Sequence, residues 1–223
     1  MSDIHSNLHA LKTVFDGLEN VDAIIFSGDI VGYGASPNEV IDILKDMKPR
    51  MCVLGNHDYA CLKNDFRWFN ELAAQSLIWT KRVIKRENLD YISKLPLSET
   101  RDFEGVRVYV THGSPVDNLY DYVYQEQGRD WRRFFKITES DIIILGHTHI
   151  PMIIKLKEKY IINPGSVGQP RDGNPAASYC VLNINRNVSV ELKRVNYDID
   201  KSAEEILDEG LPTFLAERLY TGI

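Results

Sequence analysis

The 223 residues are long enough to bury one sizeable core and are read as a single domain, 1–223. Hydrophobic content of 43% and charged content of 26% are ordinary for a globular protein, and no apolar run nears the roughly 20 residues a helical span needs, which argues against a membrane protein. A net charge of -6 without a Lys/Arg block argues against tracking nucleic acid by charge, so an anionic substrate calls for local positive charge, which divalent metals provide.

In chain order, Asp3 and His5 come first, two apart, so that both would face one way on an extended segment. Only Met1 and Ser2 precede them, and the strand expected ahead of such a pair is missing. Leu8, Leu11, Val14, Phe15 and Leu18 recur at helical spacing. A short strand at 23–26 leads through Ser27 into Gly28 and Asp29. Ser36 and Pro37 supply a cap and first position for a helix to about Met47, and Pro49 separates it from a strand at 51–54 that leads into Gly55, Asn56, His57 and Asp58. Residues 72–84 have the pattern of a long amphipathic helix, and 89–95 of a shorter one ending before Pro96.

Strands at 97–103 and 106–110 form a hairpin through Glu104 and Gly105, the second delivering His112 through Thr111. The segment from about 114 to 140 is polar and aromatic, with Tyr120, Tyr122 and Tyr124 ahead of the basic trio Arg129, Arg132 and Arg133. It is read as a lid that brings guanidinium groups over the site, or alternatively as a surface helix with a half-buried aromatic face. The apolar run 141–145 is a buried strand that ends in Gly146, His147, Thr148 and His149. Strands at 152–156 and 160–162 lead to Asn163, Pro164, Gly165 and Ser166, a hairpin through Asn185 joins strands 179–184 and 188–195, and the acidic tail from Ser202 is helical.

Strand, glycine and metal-competent side chain recur together at the strand exits, and of the six histidines only His9 lies outside these stretches. Turn chemistry alone accounts poorly for such a repetition. The set Asp3, His5, Asp29, Asn56, His112, His147 and His149 offers two carboxylates, one amide and four imidazoles, and no thiolate. Seven ligands exceed one tetrahedral zinc but suit two adjacent metals if one carboxylate bridges them. Mixed N/O donors admit Zn, Ni or Co, while the wealth of oxygen and the open positions favour Mn or Fe. Two metals about 3.5–4 Å apart lower the pKa of a bridging water and clamp both oxygens of an in-line displacement at phosphorus, which is the chemistry of phosphoester hydrolysis. The lack of a leader ahead of Asp3 and the three scattered cysteines, Cys52, Cys61 and Cys180, lead to the expectation of a reducing cytoplasm.

The motifs SDIHSN at 2–7, GDIVGYG at 28–34, GNHD at 55–58, THGSP at 111–115, GHTHIP at 146–151 and NPGSVGQPRD at 163–172 together resemble the calcineurin-like metallophosphoesterases, in their small prokaryotic branch. The resemblance implies an α/β chain folded as a four-layer αββα sandwich. It implies one metal on Asp3, His5, Asp29 and His149 and a second on Asn56, His112 and His147, bridged by Asp29. His57 is implied to contact the phosphate and to protonate the leaving oxygen. The expected activity is hydrolysis of a phosphodiester or phosphoanhydride in a small molecule. The alternatives are a phosphomonoesterase, or a scaffold like the retromer subunit of the same fold, which departs from the pattern at its metal site. A homo-oligomer is compatible with either reading.

Overall fold

Short aliphatic runs and the helices between them build two facing sheets. The computed structural model describes residues 1–18, 20–185 and 188–223. In the first sheet β1 (Ile25–Phe26) runs parallel to β2 (Met51–Cys52). In the second, β3 (Ser98–Phe103), β4 (Val106–Thr111), β5 (Ile142–Ile144), β6 (Met152–Leu156) and β7 (Lys159–Asn163) follow the order β3-β4-β5-β7-β6. Its three central strands are parallel and its two edge strands antiparallel. The hairpin of β8 (Ala177–Ile184) and β9 (Val188–Val195) forms as expected, although Arg186 and Asn187 of its turn lie outside the described residues.

Residues 1–3 stand where a strand is expected ahead of Asp3. The Met1 amino group donates to Ile25 O at 2.9 Å, Ser27 N–H to Met1 O at 3.1 Å and Asp3 N–H to Gly28 O at 2.9 Å. On the other side Val167 N–H donates to Ser2 O and Gly168 N–H to Asp3 O, both at 3.0 Å, and Ser178 N–H to Ser166 O at 2.9 Å. Residues 1–3 and 166–168 thus carry the backbone pairing from β1 across to β8.

Period-two alternation in β5 explains its unbroken aliphatic run. Ile142 and Ile144 join Val53, Val108, Val110 and Ile162 between the sheets, while Ile143 and Leu145 face Phe134 and Phe135 on the outer side. Those phenylalanines belong to α6 (Arg132–Thr138), the outer layer of the second sheet. On the first sheet's outer face, α1 (Leu8–Asp16), α2 (Pro37–Met47), α4 (Glu71–Val83) and α5 (Arg86–Ile92) bury Leu11, Val14, Val40, Ile41, Leu44, Leu77 and Ile92 against Phe26 and Leu54. The result is the four-layer αββα arrangement.

Local details differ from expectation. Ser36 occupies the cap position of α2 but its hydroxyl donates instead to Glu205 at 2.8 Å, tying α2 to α7 (Ile199–Asp208). The acidic tail holds two helices, α7 and α8 (Thr213–Thr221). A helix absent from the sequence reading, α3 (Asn56–Lys63), begins at a candidate ligand. No described helix is long and apolar enough to cross a membrane.

Candidate metal centre

All seven candidate ligands lie at one end of the facing sheets, brought there by backbone of unusual conformation. Asp3, His5, Asp29, His147 and His149 have φ of 54°, 49°, 56°, 69° and 60°. This left-handed region is entered by few residues other than glycine, Asp and His among the more tolerant, and each case stores about 1–3 kcal/mol of strain. Extended-chain alternation therefore does not explain how Asp3 and His5 converge or how His147 and His149 reach neighbouring but different sets of ligands; left-handed turns at the ligands themselves do. Nor is the chain extended at Asn56 and His57, which open α3 with Gly55 as its cap. A Cβ at position 55 would overlap the Asp29 carboxylate and amide, so glycine is needed there for close approach.

The ligands form two groups that share one carboxylate. Asp3, His5, Asp29 and His149 offer one atom each, all within 4.8 Å of one another, and so do Asp29, His112 and His147. Asp29 Oδ2 lies 3.5 Å from His5 Nε2 and 3.3 Å from His112 Nε2, while Oδ1 accepts the His57 N–H at 2.9 Å. Asn56 Oδ1 stands 3.0 Å from His112 Nε2, which places the amide with the second group.

The hydrogen bonding of the rings shows that these residues fit cations. His5 Nδ1 donates to Val31 O at 3.1 Å and His149 Nδ1 to Gln169 O at 2.6 Å, so the Nε2 lone pairs face each other at 3.0 Å with no proton between them. His112 Nδ1 donates to Ser27 O at 2.8 Å, turning its Nε2 toward the Asn56 and Asp29 oxygens. Asp3 Oδ2 and His147 Nε2 are buried without a partner. Buried acceptors pointed at acceptors are strongly unfavourable unless a cation lies among them, and a ligating histidine commonly gives its other N–H to a carbonyl in this way.

Burial drives the histidines toward neutrality: His5 and His149 lie well below the usual imidazole range, His57 is lowered to about 4 and His147 to about 3. His112 is the exception, because Asp29 outweighs its burial and raises it to about 9. Asp29 correspondingly stays below the usual carboxylate range despite burial, through His112, His57 and His5. Burial pushes Asp3 up to about 7 against the pull of His112.

His57 belongs to neither group. Its ring centroid is 4.7 Å from that of His5, and its Nδ1 is buried without a partner. The basic trio does not line the cleft beside the candidate ligands: Arg129 grips Asp121 through two bonds of 2.6 and 2.8 Å, Arg132 lies beside Asp130 in solvent, and Arg133 is exposed. The same segment does supply Tyr120 and Tyr122 to a cleft of about 230 Å³ that opens over Asp29, Asn56, His57, His147 and His149. The sequence reading missed Asp58, whose Oδ1 accepts the Ile30 and Val31 N–H groups and whose Oδ2 accepts that of Gly55. The signal was an acid in the first turn of α3, legible only once a helix starts at Asn56. Arg171, also in the cleft, was missed as well.

Known proteins agree with this architecture. An uncharacterised protein of Methanocaldococcus jannaschii is 40% identical over 241 aligned positions, covering 100% of this chain and 96% of that one. The crystal structure of a metallophosphoesterase from Sphaerobacter thermophilus superposes with a TM-score of 0.87 at 34% identity, over 100% of this chain and 98% of the other. The phosphodiesterase YfcE of Escherichia coli is 44% identical over 46 residues, 21% of this chain and 24% of its own length. Residues 1–187 match the calcineurin-like phosphoesterase superfamily domain, and with that match spanning every candidate ligand, the chain belongs to this superfamily.

Proposed function

We propose that the protein is a binuclear metal-dependent hydrolase of phosphodiester or phosphoanhydride bonds in small molecules. The observation that carries the reading is the pair of ligand groups sharing Asp29, with the Nε2 lone pairs of His5 and His149 turned on each other. Divalent ions held there, Mn or Fe by the donor set, supply a nucleophile from water at neutral pH and neutralise charge building on a phosphoryl group. Membership of the phosphoesterase superfamily and the local identity to a phosphodiesterase support the reaction class. Five candidate ligands held in strained backbone favour a working metal site over a scaffold.

The chain's own contribution beyond the ligands centres on His57, which lines the cleft beside both groups. Its burial keeps the ring neutral in the free protein, so an arriving phosphate anion both receives its hydrogen bond and favours uptake of a second proton from the water of the cleft. That proton then passes to the departing alkoxide. Cys52, Cys61 and Cys180 are free thiols, which suits a reducing cytoplasm.

The test is hydrolysis of bis(p-nitrophenyl) phosphate with added manganese by the wild type and by Asn56→Ala and His112→Ala. The reading expects metal-dependent turnover that each substitution largely abolishes. Turnover that persists in both variants, or fails with every divalent metal offered, overturns it.

A further inference from the structure

The cleft is walled by rings whose exposure folding does not account for. Trp68 is 84% exposed, and Tyr120 and Tyr122 are each 44% exposed, although all three line the cleft. The other tryptophans behave differently, Trp79 and Trp131 each packing against a hydrophobic cluster. A large ring left in water forgoes the burial that ordinarily stabilises it, and an amphipathic ring beside a reactive centre is a contact surface. The rings continue outward from the chemistry. Phe69 meets His57 edge-on at 4.8 Å, Tyr122 stacks on His147 at 3.8 Å, and Tyr120 and Trp68 extend the wall toward solvent.

The same cleft holds one guanidinium of a distinctive kind. Arg171 lies over the Tyr33 ring at 5.5 Å and hydrogen bonds to the Gln169 amide oxygen at 2.8 Å. Among the described residues it makes no ion pair, in contrast to Arg129 with Asp121. A planar fork of donors with its charge not neutralised by a carboxylate is suited to phosphate oxygens.

We propose that this cleft is a nucleotide subsite, in which Trp68 and Tyr120 stack a planar base while Arg171 takes a phosphate oxygen. This rests on the hydrolase reading above and narrows its substrates to nucleoside phosphodiesters or phosphoanhydrides, in preference to esters of alkyl alcohols. Stacking tolerates any base, so the preference is for an aromatic ring as such.

The experiment measures binding without turnover, by calorimetric titration of manganese-loaded protein with adenosine 5'-monophosphate, ribose 5-phosphate and inorganic phosphate. The wild type is expected to bind the nucleotide about ten-fold or more tighter than the sugar phosphate, the effect of one stacked base. In the double variant Trp68→Ala with Tyr120→Ala that gap closes while inorganic phosphate binds as before, and Trp68→Phe retains most of it. Arg171→Ala weakens nucleotide and sugar phosphate alike, and Arg171→Lys only partly restores them. Equal affinity for the two in the wild type, or a gap that survives the double substitution, overturns the proposal. If bis(p-nitrophenyl) phosphate is still hydrolysed in that event, the subsite alone is wrong. If no phosphate compound binds and no ester is turned over with any metal, both readings fall.

Discussion

His57 and His112 show how burial and a single carboxylate assign opposite states to two imidazoles a few ångströms from Asp29. Burial outweighs Asp29 at His57, which falls to about 4, whereas direct pairing at 3.3 Å outweighs burial at His112, which rises to about 9. His112 must lose its proton to ligate a metal, so metal uptake at pH 7 is expected to release protons. Titration calorimetry with manganese in buffers of different ionisation enthalpy checks this, and no buffer dependence would refute the Asp29–His112 pair in the metal-free protein. For His57, whose own amide is tied to Asp29, His57→Asn is expected to keep the metals. It should slow a nucleoside or alkyl diester by roughly 10²–10⁴-fold, the range of a general acid, and an activated aryl ester much less, since an aryloxide leaves without a proton. Equal losses would reduce His57 to a phosphate contact, and loss of metal by elemental analysis would make it structural.

At the scale of elements, the start of α3 is where two ligand loops are locked together. Asp58 accepts three buried backbone N–H groups, from Ile30, Val31 and Gly55, and thereby fixes the loop carrying Asp29 against the helix carrying Asn56. Asp58→Ala leaves all three donors unsatisfied, at about 1–3 kcal/mol for each buried group. Chemical denaturation should show a loss of about 3 kcal/mol or more. Metal affinity should fall with it, although Asp58 belongs to neither ligand group. A variant as stable as wild type would show that the loops hold their places without this clamp.

Across the whole molecule, the candidate ligands come from segments near residues 3, 29, 56, 112 and 148, so metals held among them would cross-link both sheets. Ligand in hundred-fold excess over its dissociation constant stabilises by about 2.7 kcal/mol, and a chain of this length shifts by about 2–4 °C per kcal/mol. Chelation is therefore expected to lower the melting temperature by about 5–10 °C. The stripped protein should also be acid-sensitive. His5, His57, His147 and His149 are all lowered by burial, so these four rings bind more protons in the unfolded chain than in the folded one once pH drops below their ordinary value near 6.5. They outnumber Asp3 and Asp58, whose carboxyls burial raises to about 7 with the opposite effect. The rings' stability is present above about 6.5 and lost as pH falls toward about 4, and melting curves across that window check the sign. Melting temperatures that stay flat from pH 7 to pH 5 would contradict neutral buried rings.

The family and the sandwich were legible through the motifs that resemble the calcineurin-like phosphoesterases, and the candidate ligands could be nominated because ligand chemistry restricts residue type and strand exits restrict position. Gly28 with Asp29 and Gly146 with His147 could be read for that reason. What no linear pattern carries is direction. That His147 and His149 part into different groups depends on left-handed backbone at both, and that Asn56 opens a helix depends on Gly55 fitting against Asp29. The basic trio was the most conspicuous charge in its segment, yet Asp121 neutralises Arg129, whereas a solitary Arg171 reaches the cleft through the backbone pairing that carries residues 166–168 past Asp3. Residue type decided what chemistry this protein can do. Only the packing of distant loops decided which side chains meet, because a contact between residues 3 and 147 is a property of two sheets folded face to face and of no stretch of chain between them.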